Sequence, residues 1–147
     1  MIFTRNKNEV AAMATVEERI REYIASSSDA AFLTSEFLQF GSRSVVARAL
    51  RKLVEDRTLY RAGYGVYTPS RTLTEEPYVG SKIRRYTSST VTASFLRKMG
   101  VDPKPGSLVR EYNEGRSTQV PPYVMIDVGK SRIRRKLYGG GVRYERS

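Results

Sequence analysis

The sequence predicts a mixed α+β fold, and three patterns support that prediction. Residues 43–56 repeat apolar side chains at helical spacing, residues 58–68 alternate like two strands around a turn, and residues 123–146 alternate between glycine-containing turns. The 147 residues allow one domain or two small ones. We therefore expect an N-terminal helical unit with a hairpin, followed by a small basic module of two helices and an antiparallel sheet.

An arm and a capped helix open the predicted N-terminal unit. Residues 1–14 are polar and weakly patterned, so a flexible arm is expected there. Thr15 and Glu18 have the spacing of a capping box, in which each side chain accepts a hydrogen bond from the other residue's backbone N–H. The helix should follow directly, and residues 31–33 predict a short strand beside the hairpin.

A tight junction at Gly41 and Ser42 separates the next two predicted helices. Thr34 or Ser35 is expected to cap a short helix that buries Phe37, and Gly41 is expected to end it at positive φ. Ser42 then stands where a second N-cap belongs. This order is typical of a helix-turn-helix unit.

The helix predicted over residues 43–56 has two different faces. Its inward stripe is expected to contain Val45, Val46, Ala49, Leu50, Leu53 and Val54. Its outward face carries Arg43, Ser44, Ala47, Arg48, Arg51 and Lys52. In a major groove, arginine pairs bidentately with guanine and serine bonds either base, so this face favours DNA recognition. A solvated basic face is the alternative interpretation.

A two-stranded hairpin is predicted directly after this helix. Residues 58–61 and 66–68 alternate, and Ala62, Gly63, Tyr64 and Gly65 form the turn. A basic helix followed by a hairpin is the order of a winged-helix domain, with Arg61 and Tyr64 near the tip of the wing. A hairpin that only covers the core is the alternative.

The second half is predicted as a separate module. A winged-helix domain over residues 15–70 should pass through a proline-bounded linker at 71–77 into a basic module at 78–147. We expect helices over residues 78–86 and 91–99, and a loop at 101–116 with an extended piece at 108–112. Strands at 123–128, 132–138 and 142–146 should form the antiparallel sheet. The helix at 78–86 would point Arg84 and Arg85 outward.

The charge of the chain favours a polyanionic partner. Lys and Arg total 26 against 15 acidic residues, a net charge of +11. Residues 130–146 hold many of these cations beside tyrosines, and phosphate contacts of this kind bind any base sequence. Charges that deter strand pairing at a sheet edge are the alternative. The predicted phosphate-binding residues are Lys52, Arg61, Arg84, Arg85, Lys130, Arg132, Arg134, Arg135 and Lys136.

Composition argues against an enzyme, a cofactor and a metal site. The chain has no cysteine and no histidine, which excludes disulfides and thiolate or imidazole ligands. Gly41-Ser42 resembles the start of a nucleotidyltransferase site, but no Asp-x-Asp metal pair follows. Residues 139–141 lack the Lys-Ser/Thr of a P-loop. With no apolar run near about 18 residues and no signal peptide, we expect a cytoplasmic protein without a membrane partner.

Three segments resemble AbiEi-type antitoxins and their short relatives. They are FGSRSVVARALRKLVEDRTLYRAGYGVYTPS, TVTASFLRKMGV and STQVPPYVMIDVG, within a resemblance covering roughly residues 16–138. The resemblance implies a winged-helix repressor that binds inverted repeats and autoregulates an operon encoding a nucleotidyltransferase-like toxin. It implies groove-reading positions at Ser42, Arg43, Ser44, Ala47, Arg48 and Arg51, with Arg61 and Tyr64 on the wing.

The sequence therefore predicts a double-stranded DNA-binding repressor. Arg43, Ser44, Arg48 and Arg51 are expected to read bases, and the phosphate-binding residues above to hold the backbone. One alternative is a protein-interaction module that neutralises a cognate toxin. Another is an RNA-binding protein, because the basic second half and its tyrosines also suit structured or single-stranded RNA.

Overall fold

The computed structural model of the chain describes residues 15–73, 82–116, 118, 124–138 and 141–147. Within them lies a mixed α+β fold with five α-helices and two small sheets. The predicted arm, the end of the linker, the start of the helix at 78–86 and the turn at 139–140 lie outside these residues. In the described part, no helix has both the length and the apolarity to cross a membrane.

The first half alternates helices with a three-stranded antiparallel arrangement. Strand β1 pairs with β3 through Phe32 opposite Tyr67, and β2 pairs with β3 through Tyr60 opposite Thr68. The predicted capping box at Thr15, the N-cap at Ser42 and the short strand are confirmed. The elements are α1 Val16–Ala25, β1 Phe32–Leu33, α2 Thr34–Phe37, a 3-10 turn Leu38–Phe40, α3 Arg43–Glu55, β2 Leu59–Gly63 and β3 Val66–Leu73.

The second half adds a strand to the first sheet and builds another sheet of three strands. Strand β4 pairs antiparallel with the end of β3, placing Arg71 opposite Arg84. In the second sheet β5 is antiparallel to β6, whereas β6 and β7 are parallel. The elements are β4 Lys82–Arg85, α4 Ser88–Lys98, β5 Lys104–Pro105, α5 Ser107–Asn113, β6 Val124–Asp127 and β7 Val142–Glu145.

Two buried clusters form the core. The first lies between α1, α2 and α3, where the Tyr23 ring meets the rings of Phe32, Phe37 and Phe40 edge-on at 5.7–5.9 Å. The second brings residues of both halves together. Its buried members are Ala30, Ala31, Val66, Val91, Phe95, Leu96, Ile126 and Val128.

Polar contacts of α4 reinforce the second cluster. The Lys98 ammonium lies 2.9 Å from an Asp29 carboxylate oxygen, 2.8 Å from Glu36 Oε1 and 4.4 Å from the Phe32 ring centroid. The buried Ser94 hydroxyl accepts a 3.1 Å hydrogen bond from the Ala31 N–H. Helix α4 is therefore fixed to β1 and α2 by charge as well as by apolar packing.

The helix expected over residues 78–86 is wrong where the structure describes it. Residues 82–85 are strand β4, which pairs with Ser70–Leu73. Strand β3 runs on to Leu73, so the expected linker begins inside a strand. The helical prediction failed because four residues also fit an alternating pattern, and the extended end of β3 supplies the backbone partners.

The loop expected over residues 101–116 is also wrong in part. Residues 107–113 form helix α5 rather than an extended piece, and Lys104–Pro105 is a short strand. Gly106 precedes the helix, and a Cβ there would lie 2.6 Å from Met125 Cβ. Tertiary packing of β5 on β6 therefore fixes where this helix starts.

The second sheet contains different strands from those predicted, and one pair of them is parallel. Residues 132–138 form no strand, β5 takes the place beside β6, and β7 is parallel to β6. The strands near residues 124–127 and 142–145 are confirmed. Sequence alternation could not separate a paired strand from an extended segment whose backbone binds elsewhere.

Several predictions about helix ends and about one buried residue are also wrong. Gly41 has φ of 172°, which is extended, and a Cβ there would lie 3.0 Å from Val16 Cγ2. Glycine is thus explained by close packing rather than by positive φ. Thr34 opens α2 as its first residue instead of capping it, and α4 begins at Ser88 behind the cap Thr87. Val45, expected inside, is 40% exposed.

Replacing Lys98 should weaken the junction between the two halves. We expect Lys98→Met to lower the free energy of unfolding by about 1–3 kcal/mol, because the mostly buried Glu36 and the half-exposed Asp29 lose their shared cation. Urea unfolding at neutral pH measures this change. Arg97→Met, at an exposed neighbouring position, is the matched control and should stay within about 0.5 kcal/mol of wild type.

The double variant Lys98→Met/Glu36→Gln should recover part of the loss, because it removes a carboxylate charge that has lost its cation while Tyr23 and Leu33 still donate to the side chain. A double variant less stable than the sum of the two single changes would contradict the pairing of Lys98 with Glu36.

Candidate nucleic-acid interface

Helix α3 presents a polar, cationic face to solvent. The Ser42 hydroxyl caps it by accepting a 3.4 Å hydrogen bond from the Val45 N–H. Val46, Leu50 and Leu53 are buried on the opposite face. The residues predicted to enter the groove are all exposed, namely Ser42, Arg43, Ser44, Ala47, Arg48 and Arg51.

Three arginines of this face have no acidic partner among the described residues. Arg43, Arg48 and Arg51 form no ion pair with any described residue. The exposed sides of successive helical turns therefore offer three guanidinium groups without an internal acid to neutralise them. Such groups are suited to bidentate pairing with a phosphate or a guanine edge.

Lys52 differs from these arginines. Its ammonium lies 3.2 Å from Glu17 Oε2 of α1, although most of the side chain is exposed. A phosphate contact by Lys52 would compete with this pairing. Local sequence does not predict this pairing, because it depends on how α1 crosses α3.

The hairpin turn exposes an aromatic ring beside a guanidinium group. Tyr64 is 78% exposed, and the Arg61 guanidinium carbon lies 5.9 Å from the centre of its ring. The turn is held at its base by the Thr34 N–H, which donates to the Gly65 carbonyl at 2.9 Å. The predicted turn at Tyr64 is confirmed, and Arg61 lies in β2 near this turn.

The basic segment, residues 130–136, continues into an anchor on the hairpin. The Tyr138 N–H donates to the Ala62 carbonyl at 2.7 Å, and the Arg135 guanidinium donates to the Tyr64 carbonyl. A Cβ on Gly63 would lie 2.8 Å from Leu137 Cδ2, so Leu137 packs closely on the hairpin at this glycine. The structure thus brings the basic segment beside the hairpin tip.

Strand β7 holds the other side of the basic segment. The Tyr144 hydroxyl donates to the Arg135 carbonyl at 2.7 Å, and Arg146 donates to the Ser131 carbonyl at 2.9 Å and to that of Ile133. Burial raises the pKa of Tyr144, which keeps its hydroxyl protonated as a donor. The exposed cations of the segment are Lys130, Arg132, Arg134, Arg135 and Lys136, of which Arg135 already binds the Tyr64 carbonyl.

Arg84 and Arg85 do not lie on the outward face of a helix, as expected, because their residues belong to β4. Their side chains lie outside the described part of the chain, so their predicted phosphate contacts stay a prediction.

The face of α3 and the hairpin tip are joined through β2, and the basic segment packs on the hairpin.

A network of four charges supports the base of α3. Arg21 of α1 pairs with Glu17 at 2.9 Å and with Asp56 at the end of α3, and it donates to the Thr58 hydroxyl at 2.9 Å. The Arg21 and Lys52 partners hold the pKa of Glu17 below its usual value. Hydrogen bonds from Thr58, followed by that from Arg21, lower the pKa of Asp56.

The described residues contain no group of three acidic side chains that could hold a metal ion. No family model matches the chain, and no curated protein matches it. The resemblance to AbiEi-type antitoxins therefore stays a prediction from the residues.

The charge network predicts a loss of stability in acid. The folded-state pKa values of Glu17 and Asp56 are depressed, so their contribution is fully present above the unfolded values of 4.5 and 3.8 and is lost as pH falls through the folded values. Arg21→Gln should lower the urea midpoint at about pH 7 and have little effect at about pH 2.

Arg51→Gln is the control for this test, because Arg51 has no described ion pair and its loss should leave the midpoint unchanged at both values. An Arg21→Gln deficit that is equally large in acid would show that Arg21 stabilises the fold by packing and its hydrogen bond to Thr58 rather than by its ion pairs.

Proposed function

We propose that residues 15–70 form a winged-helix domain that binds double-stranded DNA, with α3 in the major groove and the hairpin as the wing. The order α1, β1, α2, α3, β2, β3 supports this assignment, since β1 pairs with β3 beside the hairpin. In such a domain the second helix of the helix-turn-helix carries the base-reading side chains.

The observation that carries the proposal is the contrast between α3's cations. Arg43, Arg48 and Arg51 lie exposed without described ion pairs, while the neighbouring Lys52 is paired with Glu17. A face kept solely for solubility has no need to separate its charges in this way. The exposed Ser44 and Ala47 between the arginines are small enough for close approach to base edges.

The basic segment supports the same partner from a second direction. Its cations are exposed, and the end of the segment lies beside the hairpin, where the Arg135 guanidinium binds the Tyr64 carbonyl. Phosphate contacts fix the register of a protein on a duplex without reading its sequence. We therefore assign base recognition to α3, and backbone binding to Arg61 and to Lys130, Arg132, Arg134, Arg135 and Lys136 of the basic segment.

A repressor acting on inverted repeats is the regulatory role we propose for this binding, and autoregulation is the form implied by the AbiEi resemblance. A protein of this kind works by occupying a promoter, which needs sequence preference at working salt rather than charge alone.

The assignment of roles is testable with two arginine variants. Arg48→Ala should weaken binding to a preferred duplex by about 1–3 kcal/mol and flatten the preference over a scrambled duplex. Fluorescence anisotropy with both duplexes measures the change. The unfolding midpoint should stay at the wild-type value, because Arg48 is exposed.

Arg134→Ala is the matched comparison on the basic segment. It should lower affinity for both duplexes by the same factor and reduce the slope of log affinity against log salt by about one. If the two variants lose affinity in the same way on both duplexes, the division between base reading and backbone binding is wrong.

A further inference from the structure

A cleft of about 440 Å³ opens beside the hairpin. It lies between the hairpin, the start of α4 and the residues that follow the basic segment. Its walls include Tyr60, Arg61, Thr68, Tyr86, Ser88 and Tyr138. This volume lies within the range of about 300–1,000 Å³ that small-molecule sites occupy.

One wall contains a buried hydroxyl with no partner. Thr68 is 6% exposed, and its Oγ1 has no hydrogen-bond partner among the described residues. Buried side-chain oxygens nearly always have a protein or solvent partner, so an unpaired one at a cleft indicates a place for a ligand atom. The hydroxyl can donate to an acceptor or accept from a donor.

A second wall favours negative charge. Ser88 is the first residue of α4, an eleven-residue helix capped by Thr87. The first amide N–H groups of a helix have no acceptor within the helix, and its dipole favours an anion there. Arg61 lies on the same cleft and forms no ion pair with the described residues. A phosphate group fits this combination of a guanidinium and helix amides.

Aromatic rings complete the lining. Tyr60, Tyr86 and Tyr138 all lie on the cleft, and Tyr138 is 59% exposed. Tyrosine rings stack on nucleobases and accept any base, because every base has a π-face. A ligand with a flat ring and a phosphate would use both parts of the cleft, whereas inorganic phosphate or a neutral ring alone would use one.

We propose that this cleft binds a nucleoside monophosphate, with the phosphate between Arg61 and the start of α4 and the base against the tyrosines. Thr68 belongs to the wall of the cleft, and we expect its unpaired hydroxyl to bond a polar atom of the ligand. The site is separate from the exposed face of α3, and the proposal does not require that the protein bind DNA.

Titration of the full ¹⁵N-labelled chain with AMP and with CMP, in the absence of DNA, tests the proposal. We expect saturable shifts of the amide signals of residues lining the cleft. Inorganic phosphate and adenosine, as part-ligands, should each bind at least about tenfold more weakly than AMP, which corresponds to about 1.4 kcal/mol.

Two variants and a control locate the binding. Arg61→Gln should weaken AMP binding about tenfold, because one charge-assisted contact is lost. Thr68→Val removes the unpaired hydroxyl while keeping the side-chain shape, so it should fold and weaken AMP several-fold. Arg97→Gln, an exposed arginine at the far end of α4, should bind AMP like wild type.

Three results would overturn the proposal. One is the absence of saturable shifts with either nucleotide. Another is equal affinity for inorganic phosphate and AMP, which would make the cleft a generic anion site. The third is a set of amide shifts centred on α3 and the basic segment, together with an equal loss of AMP affinity in Arg61→Gln and Arg97→Gln. That pattern would mean nucleotide binding to surface charge outside the cleft.

Discussion

The contact of α4 with β1 and α2 is the constraint on which the rest of the structure depends. Lys98 binds Asp29 and Glu36 together, and Ser94 accepts from the backbone of Ala31, so the helix is fixed in position and in rotation. Phe95 of the same helix is buried in the second cluster, and the Arg135 guanidinium carbon lies 5.3 Å from the centre of its ring. The docking of one helix therefore determines where the basic segment meets the hairpin.

This arrangement separates two kinds of positive charge. The arginines of α3 stand on a helix whose opposite face is buried, and in the proposed DNA complex this would hold side chains against base edges in a fixed register. The cations of residues 130–136 stand on a segment without paired strands, held by backbone contacts to the hairpin and to β7. In the proposed DNA complex these cations need no fixed register, since backbone phosphates carry charge along the whole duplex.

The sequence predicted the parts of the fold that local patterns determine. The cap at Ser42, the periodicity of residues 43–56 and the glycine-containing turn at Tyr64 are local, and the structure agrees with them. Prediction from the sequence failed where pairing with distant residues decides the secondary structure. Examples are β4, the parallel β6–β7 pair and the segment before Tyr138. The exposed α3 residues could be predicted, but the pairing of Lys52 and the cleft around Thr68 depend on residues distant in sequence.

Selection of duplexes from a random-sequence pool tests the central claim, that the exposed arginines of α3 read DNA, most directly. The wild-type chain should enrich a defined motif with two-fold symmetry at near-physiological salt. A variant with Arg43, Arg48 and Arg51 all changed to alanine should retain weak, salt-sensitive binding and enrich no motif, because the basic segment remains. Enrichment of the same motif by both proteins, or of none by the wild type, would contradict the account.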